Sequence, residues 1–143
     1  MSTLTRIDDR LSVSAQPALA EIAALPAQGF TTLVNNRPDG EEPTQPGDAA
    51  EADAARAAGL AYHHLPVTGP TITVEAIQRF GRVLETAPGP VLAHCKGGTR
   101  SLTLYVLHEV LSGRMTPEEV VPFGQNHGYD LRGALVWLAR HGG

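Results

Sequence analysis

The sequence predicts an α/β protein built on a mostly parallel central sheet of four to five strands flanked by helices. Three observations point there. Short apolar runs rich in β-branched residues alternate with amphipathic helical runs along the chain. The run "PVLAHC" (90–95) is apolar enough to be a strand buried on both faces. There is no internal repeat and no linker long enough to divide the 143 residues, so a single domain over 1–143 is expected.

The elements follow in order. "LSVSAQ" (11–16) reads as a first strand, and "PALAEIAAL" (17–25) as a helix with Pro17 in its first turn and Gly29 past its end. "FTTLVNN" (30–36) has strong β propensity. "RPDGEEPTQPGD" (37–48) is a loop by its Pro, Gly and Asp content, and long ordered loops are often functional. The alanine-rich "AAEADAARAAG" (49–59) is helical and ends at Gly59. "LAYHHLPV" (60–67) is a third strand.

In "TVEAIQRFGRVLE" (73–85), Val74, Ile77, Phe80 and Leu84 share one helical face. "PVLAHC" is the fourth strand. "SLTLYVLHEVLSG" (101–113) is apolar almost all round, the mark of a buried helix. "TPEE" (116–119) is a capping box, with Pro122 expected to kink or shorten the helix it opens. "DLRGALVWLARHG" (130–142) is a closing helix with Asp130 as its cap.

Bulk properties exclude several classes of function. The net charge of -4 and pI of about 5.8 offer no footprint for nucleic acid, and no Lys/Arg run suits anionic lipid. No apolar stretch approaches the roughly 20 residues that cross a bilayer. The start, "MSTLTRIDDR", has no apolar run of secretory length, so a cytoplasmic location is expected. The lone cysteine, Cys95, excludes an intrachain disulfide and any multi-cysteine zinc site. His63 and His64, adjacent on a strand, face opposite ways and do not share a metal, so no metal and no cofactor is assigned. Tyr105, His108 and Trp137 sit on apolar helical stretches and read as core.

In parallel α/β sheets, ligands bind beyond the carboxyl ends of the strands. Three segments land there: the 37–48 loop, the 68–72 loop and "HCKGGTRS" (94–101). The last joins a buried strand to a buried helix through glycines, so its backbone can curl into an anion cradle of inward N–H groups. That field favours the thiolate of Cys95. Lys96, Gly97, Gly98 and Thr99 would form the cradle, Arg100 would fork onto two oxygens of an oxyanion, and Ser101 could hydrogen-bond the sulfur. The constellation is a nucleophile within an oxyanion cradle. His94 reads as a buried hydrogen-bonding residue that shapes the loop, with proton transfer as its less favoured role. From 37–48, Arg37 could bind an anionic substrate. Asp39 suits a turn by its own chemistry and, less favoured, a general acid.

Strand, His-Cys, glycine loop, Arg-Ser and helix together resemble the cysteine-dependent protein phosphatases. More closely, "LSVSAQP", "GFTTLVNNRPDGEEPTQP", "AGLAYHHLPV", "PGPVLAHCKGGTRS" and "GYDL" resemble a bacterial phosphatase-like domain family related to the beta-lactamase-hydrolase-like proteins. The resemblance spans nearly the full chain. It implies a tyrosine-phosphatase-like fold with Cys95 as nucleophile and Arg100 as oxyanion ligand.

Two departures from the phosphatase pattern shape the functional expectation. Four residues separate Cys95 from Arg100, where a phosphatase loop has five; Cys-Lys-x-Gly-x-Arg resembles the loop of rhodanese-type sulfurtransferases. The stretch "PVTGPTIT" (66–73), where such phosphatases usually carry an aspartate general acid, has no acid. Sulfur transfer expels sulfite or a thiolate and needs little protonation. The sequence therefore ranks a sulfurtransferase first, with Cys95 taking a persulfide from a sulfane-sulfur donor and passing it to an external thiol acceptor. A phosphatase acting on a phosphoester through a cysteinyl-phosphate comes second. A non-catalytic oxyanion-binding module comes third, and an internal cysteine relay of the arsenate-reductase kind is excluded by the cysteine count.

Overall fold

A computed structural model describes residues 4–141. Its sheet has five strands: β1 (Leu4–Arg6), β2 (Leu11–Ser14), β3 (Thr32–Asn35), β4 (Ala61–His64) and β5 (Val91–His94), in the order β1-β2-β5-β3-β4. All neighbours are parallel except β1, which pairs antiparallel with β2 at the edge. The short β1 lies in a polar stretch with no alternation to reveal it; it forms because β2 offers a free edge. The other strands match the expected runs, trimmed by one to three residues where the ladder stops.

Six helices cover the two faces: α1 (Leu19–Ala24), α2 (Asp48–Ala58), α3 (Val74–Thr86), α4 (Thr99–Leu111), α5 (Pro117–Asn126) and α6 (Arg132–Arg140). Alternation along the strands divides the core. Leu33 and Leu92 pack with Ile22, Leu25 and Ala55 on the α1/α2 side. Val34, Val91 and Ala93 pack with Ile77, Phe80, Leu104 and Leu138 on the other. On α3 the buried face is Ile77, Phe80 and Val83, whereas Val74 stays 39% exposed at the helix entrance.

Three expected helix ends shift. α4 begins at Thr99, two residues early, because Gly98 takes a left-handed backbone (φ 101°) and turns the chain directly into the helix. α5 is not shortened at Pro122 and continues to Asn126, since the carbonyl that the proline leaves unpaired lies in the exposed first turn. The cap of α6 is Leu131 by backbone geometry, while Asp130 accepts the Arg132 amide from one residue further out (3.1 Å). The Thr116–Glu119 capping box forms as expected.

Register brings the site together. His94 of β5 lies between Ser14 of β2 and Asn35 of β3. The carboxyl ends of the three central strands therefore finish level, and the chain leaving each one enters the same small volume. Phe80 is fully buried where α3 meets the sheet. Phe80→Ala should lower the unfolding free energy by about 3–5 kcal/mol, read from urea denaturation, with the fold retained.

Candidate functional site

Cys95 follows the last residue of β5 and is 1% exposed, so its thiol sits at the floor of the site. The Gly98 amide donates to its Sγ at 3.0 Å. A Cβ on Gly98 would come within 2.7 Å of the Tyr129 hydroxyl, so both φ and space require glycine here. The first amides of α4 have no carbonyl one turn back to bond, and this free donor edge belongs to Thr99, Arg100 and Ser101. Gly97 is exposed, and Lys96 reaches outward (61% exposed side chain) to within 3.6 Å of Glu42.

Arg100 lies in the first turn of α4 and is held from two sides. Its Nη1 donates to Glu41 Oε2 (2.8 Å) and to the Val67 carbonyl (3.0 Å), and its Nη2 donates to Glu41 Oε1 (3.0 Å). The Glu41 pair raises its pKa, and the facing Cys95 sulfur adds to the effect. The acid-free 66–73 segment thus contributes a carbonyl to the site and no proton donor.

Glu41 also accepts from Arg37 Nε (3.0 Å). The hydrogen bonds from Arg100, then those from Arg37, bring its carboxyl from the usual 4.5 down to about 2. It is therefore ionised at neutral pH and offers no proton to a leaving group. Arg37 is buried at 2% exposure, and its remaining nitrogens donate to Glu42 (2.7 Å) and Gln16 (3.1 Å), so its whole guanidinium is engaged. Asp39 is occupied elsewhere: its Oδ1 accepts the Asp48 amide at the start of α2 (2.8 Å). That contact is the turn-and-cap role favoured by its residue type. Ser101 is buried and donates to Asn36 Oδ1 (2.7 Å), tying α4 to the end of β3.

Beneath the loop lies a polar pair that the sequence does not announce. His94 Nδ1 meets the Cys95 carbonyl (3.1 Å), and its Nε2 meets Glu51 Oε1 at 2.6 Å, with both side chains buried. A carbonyl only accepts, so Nδ1 carries a proton; Nε2 and the carboxyl then share a second. Gln16 donates to the other Glu51 oxygen (2.8 Å). A continuous chain thus runs Arg100–Glu41–Arg37–Gln16–Glu51–His94 to the Cys95 carbonyl. Glu51 looks like any acid on an alanine-rich helix; only the packing of α2 against the sheet brings it under the loop.

The arrangement can hold an oxyanion over a buried sulfur, with backbone amides and one guanidinium around it. Among known proteins, residues 3–112 match the model of the phosphatase-like domain of the beta-lactamase hydrolase-like protein. The beta-lactamase hydrolase-like protein of Agrobacterium fabrum is 53% identical over 135 residues, covering 94% of this chain and 31% of that protein. Its Xylella fastidiosa counterpart is 51% identical over 134 residues, with the same coverage. The chain thus spans about a third of the length of these curated relatives. Among solved structures, a candidate phosphatase from Neisseria meningitidis superposes with a TM-score of 0.83 at 31% identity, covering 95% of this chain and 96% of that one. TpbA of P. aeruginosa, solved in complex with pTyr, shares the fold with a TM-score of 0.67 at 20% identity, covering 95% and 90%.

Two outcomes are expected from the charged groups. Glu41's folded-state pKa is depressed, so its ion pairs contribute stability that is fully present above about pH 4.5 and lost as the pH falls toward about 2. Over that window the urea midpoint of the wild type should fall more steeply with acid than that of Glu41→Gln. Glu51→Ala, which leaves His94 buried without its carboxylate, should cost about 3–5 kcal/mol in chemical denaturation.

Proposed function

Because the chain belongs to the phosphatase-like domain family of the beta-lactamase hydrolase-like proteins, we propose that it is a cysteine-dependent phosphatase acting on phosphomonoesters with good leaving groups. The observation that carries the reading is the Gly98 amide on Cys95 Sγ at 3.0 Å, with Arg100 one residue into the helix beyond it. The amide stabilises a sulfur anion. The free amides of the α4 start and the Arg100 guanidinium then face the oxygens of a phosphate seated above it.

In this reading Cys95 Sγ attacks phosphorus in line. The S–P bond forms as the P–O bond to the leaving group breaks, and the leaving oxygen departs with the electron pair. Glu41 is ionised and the 66–73 segment carries no acid, so nothing here protonates an alkoxide. Aryl phosphates, whose phenolates leave unaided, are the expected substrates. Water then attacks the cysteinyl-phosphate, releasing inorganic phosphate and regenerating the thiolate. Lys96 supplies positive charge at the mouth, and Arg37 acts through Glu41 by fixing the carboxylate that orients Arg100.

Sulfur transfer, which the sequence ranks first, becomes the second reading. The relatives and neighbours back phosphoester hydrolysis and lend sulfur transfer no support. Two specific observations still favour it: the four-residue spacing from Cys95 to Arg100, and a resting site with no protonated acid. In that chemistry Cys95 Sγ attacks a sulfane sulfur, sulfite leaves with the electron pair, and an external thiol removes the sulfur.

One set of assays separates the two. On p-nitrophenyl phosphate the wild type should turn over, Cys95→Ser should be inactive, and Arg100→Ala should lose about 10²–10³-fold in kcat/KM. Alkyl phosphates should be poor substrates. Turnover of thiosulfate with cyanide, together with one added sulfur on Cys95 by mass spectrometry and no phosphatase activity, would reverse the order.

A further inference from the structure

The chemistry above leaves unused a groove on the far side of Arg100. It lies between the 3-10 turn Gly69–Thr71 and α6, has a volume of about 360 Å³, and shares Thr99 and Arg100 with the start of α4. That volume falls within the roughly 300–1,000 Å³ of small-molecule sites. Its walls are mainly apolar, from Ile72, Val136 and Trp137.

The wall is prebuilt. Trp137 Nε1 donates to the Ile72 carbonyl (2.8 Å), which fixes the turn against α6. The indole stacks on the His141 ring with centroids 3.9 Å apart. Val136 is 52% exposed, among the few large aliphatic side chains left open on the described surface. A concavity with apolar walls and a few charged groups has the make-up of a small-molecule site.

Arg100, from the first turn of α4, lines the groove with its guanidinium paired to Glu41. Arg140, the last residue of α6, lines the same groove, is exposed, and makes no ion pair among the described residues. Asp130 also borders it, but that carboxylate is taken up by Arg132 (2.7 Å). The groove therefore combines apolar walls with Arg140, whose guanidinium has no ion-pair partner among the described residues.

We propose that this groove seats the organic part of the substrate, an aromatic ring bearing a second anionic substituent, while the reacting oxyanion occupies the Cys95 loop. The assignment rests on the phosphatase reading for the position of the oxyanion. The ring lies against Ile72, Val136 and Trp137, and its substituent pairs with Arg140. A rigid ring loses little freedom on binding, which suits a groove whose walls are already fixed.

Non-hydrolysable phosphonates test this on the intact chain. Methylphosphonate probes the loop alone, phenylphosphonate adds the ring, and 4-carboxyphenylphosphonate adds the second anion. Wild-type protein should bind the phenyl compound about tenfold more tightly than the methyl one, and the carboxyphenyl compound several-fold more tightly again. Trp137 is the sole tryptophan, so its fluorescence should respond to the aryl ligands and not to methylphosphonate. Val136→Asp should erase the aryl advantage while leaving methylphosphonate affinity unchanged. Arg140→Gln should erase only the carboxylate increment. Equal affinity for methyl and phenyl compounds in the wild type, an aryl advantage that survives Val136→Asp, or a carboxylate increment that survives Arg140→Gln would each overturn the groove assignment with the loop reading intact. Failure of every phosphonate to bind would remove the loop reading and the groove with it.

Discussion

The whole site depends on how sharply β5 turns into α4. Four residues lie between the sulfur and the guanidinium, and the last turn before the helix is made by a left-handed glycine pressed against Tyr129. This tightness places an amide 3.0 Å from Cys95 Sγ and puts Arg100 inside the first helical turn. A side chain at Gly98 would break this turn.

A buried sulfur among cationic and dipolar groups needs a counterweight, and the fold supplies one in two layers. Above, Glu41 and Glu42 form ion pairs with the buried Arg37, with Arg100 and with Lys96. Below, the Glu51–His94 pair fixes the Cys95 carbonyl and hence the direction in which the strand ends. Gln16 joins the layers by bonding Arg37 and Glu51 together. Both layers satisfy their buried polar groups by hydrogen bonds, which is the condition for keeping such groups out of water. Arg100 is held at the start of α4 by Glu41 and the Val67 carbonyl together.

The absence of an acid on the 66–73 segment acquires meaning from the same network. Where a carboxyl would be expected to give up a proton, a backbone carbonyl holds Arg100. The one carboxyl that touches Arg100 is driven well below neutrality by the arginines around it. Among the described residues, the groups that hold Arg100 are thus an ionised carboxylate and a backbone carbonyl.

Sequence alone determined the alternation of strands and helices, the Cys95 loop with its nucleophile-and-arginine spacing, and the family resemblance. These are legible because propensity, periodicity and glycine placement act over a few residues at a time. It missed β1, whose pairing depends on an edge supplied by another strand, and it put Val74 in a face that Val83 completes. It offered Arg37 and Ser101 to a ligand; in the fold Arg37 is held by Glu41 and Glu42 of its own loop and by Gln16, and Ser101 by Asn36. Only the tertiary structure decided that Glu41 clamps Arg100, that Glu51 lies beneath His94, and that α6 walls a groove beside the loop. Those contacts join residues dozens of positions apart, and their energies come from burial and charge pairing that exist only once the sheet has brought its strand ends level.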